Sequence, residues 1–220
     1  MTSPDKQERE GVIKFELEYT TGPAINNETF KELNAWRRIF FQLGLIGQDD
    51  ARYGGLGFGN ISCRYIDNNN QKRNNAFLIS GTQTAHLNKL AATQYSLVQK
   101  CSIVSNHVIA RGPAKPSSES LTHGAVYQSD PDINAVVHVH SPEIWNNVVR
   151  LKVPFTDSST RYGTPEMAKK IQQLITGSDA KTGVIVMKGH TDGVVSYGRS
   201  LEVASLHLIS LYQKALMFWV

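Results

Sequence analysis

The sequence predicts an α/β or α+β fold in one domain. Helical and strand-like patterns mix along the whole 220 residues. Several strand-like runs come in hairpin-like pairs around turn-forming residues. Composition does not shift anywhere to mark a second domain, and the length supports a sizeable core.

Taken in order, residues 1–27 read as a mostly loose lead-in, with the domain proper at 28–220. TFKELNAWRRIFFQLGLIG (29–47) has helical apolar spacing and glycine at its end. A glycine-rich stretch leads into GNISCRYI (59–66), with NAFLISG (75–81) as the returning strand and NNNQKRNN (68–75) as the turn. The segment 98–120 ends in a loop broken by Gly and Pro. SLTHGAVYQ (120–128) is short and helical in pattern. DINAVVHVH (132–140) is a strand entering the core. SPEIWNNVVRL (141–151) restarts a helix, with Ser141 and Pro142 suited to cap and open it. TPEMAKKIQQLITG (164–177) is a helix stopped by Gly177. TGVIVMKG (182–189) and GVVSYG (193–198) are partner strands around GHTDG. SLEVASLHLISLYQKALMF (200–218) is the last helix, capped by Ser200.

Composition removes several functional classes. The net charge is +4, and Lys and Arg are scattered rather than striped, so nucleic-acid binding is not indicated. A mild positive bias suits an anionic substrate. There is no run of about 18 apolar residues, so no membrane-spanning helix is expected. The N-terminal stretch is polar and unlike a signal peptide, which makes a cytoplasmic address the expectation. Cys63 and Cys101 form no CxxC pair and read as reduced, structural thiols.

The chemistry concentrates in AVVHVHS (135–141). Side chains at i and i+2 of a strand share a face, so His138 and His140 stand side by side. Two imidazoles so placed can reach one ion at the ~2.0–2.1 Å of a Zn–N bond. The competing reading is a pair of histidines each satisfied by a carbonyl or carboxylate. A third ligand changes the balance. His190, in the glycine-bracketed GHTDG loop where a strand leaves the sheet, is well placed to face a cavity. Three histidines with an open fourth position is the pattern of a catalytic zinc site. Three imidazoles also suit Mn2+, Co2+ or Fe2+. Asp192 is a weaker candidate, for orienting His190. His123 lies four residues after Glu119 and could share a site with it or pair with it. His207, amid leucines, reads as a core or interface residue.

Three segments suit an anion. KPSSES (115–120) puts Ser117 and Ser118 at the positive end of a helix. GFGNIS (57–62) offers Gly59 and Asn60 on a turn that a ligand can approach closely. ISGTQ (79–83) adds Ser80 and Gly81 at a strand end. Glu119 is either a first-turn or capping glutamate, or a carboxylate beside a cation acting as general base or further ligand. Together these suggest a phosphorylated or carboxylated small molecule held beside a metal ion.

GNIS (59–62), SG (80–81), PSSE (116–119), AVVHVHS (135–141) and the GH at 189–190 follow one another as in the class II aldolase/adducin family, which this chain resembles over about residues 28–218. The resemblance implies a three-layer α/β fold, a central, mainly antiparallel sheet flanked by helices. It also implies a homotetramer with active sites between subunits. His138, His140 and His190 would match the zinc ligands. Gly59, Asn60, Ser80, Gly81, Ser117 and Ser118 would match the phosphate contacts, and Glu119 the acid/base that also ligates the metal at rest. The implied activity is that of a metal-dependent aldehyde-lyase, cleaving or enolising a small phosphorylated sugar through an enediolate. A ketose-phosphate 4-epimerase or dehydratase on the same scaffold is the alternative, and a non-catalytic, adducin-like binding module is a third reading. Glu119 favours the aldolase branch, which carries Glu rather than Asp there. Thr122-His123 and HVHSPEIW look more like the epimerase branch. Ser158 falls about where the fuculose enzyme has an assisting tyrosine. Tyr212 could match the C-terminal tyrosine that some aldolases lend to a neighbouring subunit.

Overall fold

The computed structural model describes residues 10–25, 28–66, 72–178 and 180–218. Of the turn expected at 68–75, residues 68–71 lie outside them, and residues 72–75 belong to a strand, Lys72–Ser80, instead of the turn. An eight-stranded sheet forms the middle layer, in the order β1-β7-β6-β5-β4-β8-β10-β9. Its strands are β1 (Glu16–Thr21), β4 (Asn60–Ile66), β5 (Lys72–Ser80), β6 (Tyr95–Ser102), β7 (His107–Gly112), β8 (Ala135–His140), β9 (Gly183–Val186) and β10 (Gly193–Gly198). Neighbours are antiparallel except β1, which pairs in parallel with β7. A two-stranded ribbon joins β2 (Gly47–Gln48) to β3 (Gly57–Phe58).

The expected elements appear, with local physical reasons. Helix α1 (Glu28–Gln42) buries Phe30, Leu33, Arg37 and Phe40, a 3.6-residue stripe. Helix α2 (Ser120–Ser129) is buried along most of its length. Ser141 caps α3 (Pro142–Asn146), and Asn147 separates it from α4 (Val148–Leu151), so the helix expected at 141–151 is two short pieces. Thr164 caps α5 (Pro165–Thr176), which stops at Gly177. Ser200 caps α6 (Leu201–Leu216) by accepting from the Val203 amide.

Helices cover both sheet faces, each over its own apolar cluster. On one face Phe77, Val98, Val136 and Val195 pack against Leu121 and Val126 of α2 and Met167 and Ile171 of α5. On the other, Ile61, Leu78, Val137 and Val139 pack against Leu33 and Phe40 of α1 and Leu208 of α6. This is the expected three-layer arrangement. No helix among the described residues is long and apolar enough to cross a membrane.

Two expectations need correction. The lead-in is not loose throughout: Glu16–Thr21 is an edge strand of the main sheet, and Phe15 is buried. His207 is no core residue. It is exposed, with Nδ1 3.4 Å from the Thr182 hydroxyl.

Candidate metal and anion site

Strand parity places the site. Val136, His138 and His140 alternate with Ala135, Val137 and Val139, so the two histidines share the α2/α5 face with Val136. Asn60 of β4 lies directly opposite His138, and Gly193 of β10 opposite His140. His190 enters from the loop between β9 and β10. Its amide donates to the Met187 carbonyl at 2.9 Å, and the indole of Trp145 donates to its carbonyl at 3.1 Å.

The glycines around His190 have steric reasons. A Cβ on Gly189 would lie 1.8 Å from the Thr160 carbonyl oxygen, and one on Gly193 would lie 3.0 Å from the His190 ring. The imidazole can therefore reach the sheet only with glycine on either side.

Ligand atoms of His138, His140 and His190 all lie within 4.8 Å of one another, and all three residues are buried. His138 Nδ1 is 3.2 Å from the Val194 carbonyl, to which it can donate, leaving Nε2 with its lone pair. Neither ring nitrogen of His140 has a hydrogen-bond partner among the described residues. Burial, reinforced by the neighbouring histidines, holds His138 and His140 well below the ordinary imidazole range, so both are neutral. Buried polar atoms without partners are costly. Three converging imidazoles fit a divalent ion, which resolves that cost.

Glu119 faces the same pocket from the start of α2. Both its oxygens are buried, the Thr122 hydroxyl is close enough to stabilise the anion without making a well-formed hydrogen bond, and the side chain makes no cap bond. The capping reading of Glu119 therefore fails. Burial pushes its carboxyl up, against the opposing pull of His190. It stands outside the tight three-histidine group and beside it in the pocket.

The anion segments converge on that pocket. Gly59, Asn60, Gly81, Ser117, Ser118, Glu119 and His138 all line it. A bridge between Gly81 and Pro116 joins two of the segments. Gly59 has φ +77°, and a Cβ there would meet Ile46 at 2.8 Å and the His138 carbonyl at 3.1 Å. Ser117 Oγ accepts from the Glu119 amide at 3.2 Å, and Asn60 Oδ1 lacks a partner among the described residues. Ser80 is placed differently. It has the parity of Leu78, whose side chain packs on the opposite face, and its Oγ accepts from the Ile61 amide at 3.3 Å. Tyr212 sits half-buried on α6, with Glu143 and Arg52 in its surroundings.

Two other readings change. His123 does not pair with Glu119. Its Nδ1 bonds Ser62 Oγ at 2.7 Å, and burial lowers it to about 3, so it is a neutral core group. Asp192 bonds the Tyr53 hydroxyl at 2.6 Å instead of orienting His190.

Sequence reasoning missed several neighbours. Tyr53 meets His140 edge-on at 4.6 Å, and Tyr162 stacks on His190 at 4.3 Å. Glu10 brings Oε1 to 2.8 Å from His190 Nε2. Aromatic residues beside turns were the available signal for the tyrosines. Nothing in the polar lead-in marked Glu10.

The family described as Class II Aldolase and Adducin N-terminal domain matches residues 49–219. The chain belongs to this family. Among solved structures, a sugar-phosphate aldolase from Thermotoga maritima aligns with TM-score 0.65 at 17% identity, covering 87% of this chain and 94% of that one. An L-fuculose 1-phosphate aldolase aligns with TM-score 0.64 at 18% identity over 89% and 86%. The L-fuculose-1-phosphate aldolase from Thermus thermophilus aligns with TM-score 0.62 at 18% identity over 87% and 92%. At such identities these likenesses establish the fold and not the substrate.

Proposed function

We propose that this member of the family is a metal-dependent aldehyde-lyase that cleaves or enolises a small phosphorylated sugar. The observation that carries the reading is the convergence of three buried imidazoles beside a buried carboxylate. His138, His140 and His190 would hold a divalent ion, Zn2+ or another of similar ligand taste, with Glu119 as its neighbour. Bound there, such an ion supplies Lewis acidity toward a substrate carbonyl and the adjacent hydroxyl.

The chain's own groups do the rest. Ser117 and Ser118, at the N-terminal end of α2, and the turn at Gly59-Asn60 with Gly81 bind the phosphate. Glycine is required at both turns because a Cβ would meet Ile46 at 2.8 Å from Gly59 and the Gln94 carbonyl at 2.9 Å from Gly81, and glycine there lets the backbone itself form the pocket wall. Glu119, beside the three histidines, takes the proton from the carbon next to the carbonyl in enolisation and returns it there after cleavage. Ser80 supports the site from within the sheet. Assembly as a homotetramer, with Tyr212 lent to a neighbouring subunit, belongs to the same proposal, and sedimentation of the intact protein tests it.

The deciding experiment incubates metal-loaded protein with a panel of ketose phosphates and identifies the products. Release of an aldehyde, lost in Glu119→Gln and in His138→Ala, is expected. An isomer or a dehydrated sugar would place the chain with the epimerase or dehydratase alternative. Full turnover in either variant would refute the assignment.

A further inference from the structure

The pocket that gathers the anion-binding residues has a wall that the family match, which begins at residue 49, does not include. Glu10 and Gly11 complete it. Gly11, at φ +72°, turns the chain so that the Glu10 side chain, only 11% exposed, reaches His190 at 2.8 Å. The segment is tied at several points. The Thr82 hydroxyl donates to the Gly11 carbonyl at 3.4 Å. Lys14 Nζ donates to the Tyr162 carbonyl at 2.9 Å and lies over the ring that stacks on His190. Phe15 is buried, and β1 follows immediately.

This arrangement leaves little space. The pocket holds about 30 Å³, room for about two waters. Small-molecule pockets run from roughly 300 Å³ upward. A sugar phosphate cannot enter while the segment lies as it does. The Glu10 and Glu119 carboxyl groups line the same small pocket. An incoming phosphate would meet a like charge at that wall.

We propose that residues 10–14 form a self-occluding strap, with the Glu10 carboxylate standing against His190 where an anionic substrate oxygen is received. The strap swings out when substrate binds, and β1, held by β7, is its fixed end. The proposal rests on the anion pocket assigned above.

The test is binding of inorganic phosphate, by calorimetry, to metal-loaded wild type, Glu10→Gln and Glu10→Ala, with Glu18→Gln on the exposed edge strand as control. Removing the Glu10 contact lowers the cost of opening, so both Glu10 variants should bind phosphate about fivefold or more tightly. The control should match wild type. Amide hydrogen exchange across residues 10–14 should also quicken when phosphate is added to wild type. Equal or weaker phosphate binding by both Glu10 variants would overturn the strap and leave the pocket standing. Failure of every protein, wild type included, to bind phosphate would instead overturn the anion pocket, and the strap with it.

Discussion

Gly189→Ala is the sharpest test of how the third histidine is held. The new Cβ would lie 1.8 Å from the Thr160 carbonyl oxygen and 2.6 Å from its carbon, where real Cβ contacts below 3.0 Å essentially never occur. The overlap is with backbone, so no side-chain rotation relieves it. One of the two loops must move by about 1.2 Å, the difference between 3.0 and 1.8 Å. Both resist: the Thr160 amide is bonded to the Asp157 carbonyl and the His190 amide to that of Met187. Overpacking of this kind costs about 1–3 kcal/mol. Metal bonds tolerate only about 0.2 Å. A shift of the expected size therefore detaches His190, and zinc affinity should fall at least ~10–100-fold, the range seen when a ligand loses its orientation. Competition with a chromophoric chelator measures the affinity, and urea unfolding of metal-free protein measures the strain. Wild-type zinc affinity together with an unchanged urea midpoint would show that the steric reasoning is mistaken.

Other outcomes follow from the same geometry. Glu119→Gln should keep the fold and lower turnover by ~10²–10⁴-fold, measured on whichever ketose phosphate proves to be the substrate. Because burial raises this carboxyl, the folded chain holds its proton longer than the unfolded chain, and that contribution to stability fades as pH rises above the unfolded value of 4.5. Metal-free Glu119→Gln should lack that loss when melting is followed upward from pH 4.5. His123 behaves in the opposite direction. Its folded value, about 3, lies below the unfolded 6.5, so stability is intact above pH 6.5 and drains away as pH falls toward 3. The loss amounts to at most about 5 kcal/mol. His123→Gln should flatten the urea-stability profile over that window, and an unchanged slope would contradict the burial argument. Gly124→Ala places a Cβ 2.4 Å from the Cys101 sulfur and should cost about 1–3 kcal/mol without affecting zinc binding. Pairing it with Cys101→Ala should recover part of the loss.

What the sequence disclosed and what it hid divide along the range of the physics involved. The His138/His140 pair was legible because strand parity is local, and β8 is buried on both faces. Caps at Ser141 and Ser200 were legible because each hydroxyl bonds an amide three residues on, and Thr164 does the same without having been singled out. The His190 loop was legible through its glycines, although the reason for Gly189 is a carbonyl that folding brings from residue 160. Strand β1 was not legible, because its polar face lies along one sheet edge and its partner β7 begins at residue 107. Glu10 was hidden for the same reason, being 180 residues from the histidine it touches.

The Glu119–His123 pair shows how a correct local rule can mislead. Spacing of four brings side chains together only when both residues lie within a helix. Glu119 is the residue before α2, with φ −89° and ψ 8°, and its carboxylate turns into the pocket. His123 is inside the helix and points at the sheet, where Ser62 takes its Nδ1 and Phe77 stacks on its ring. One helical step thus sends an acid to the site and a base to the core. The boundary of α2, more than the spacing, decides which group can do chemistry. Extending α2 backward by one turn would carry Glu119 onto the helical surface and away from the histidines. Ser117 opposes that extension: its Oγ accepts from the Glu119 amide, and its carbonyl accepts from both the amide and the hydroxyl of Ser120. The serine read from the sequence as an anion contact is therefore also what keeps the acid outside the helix.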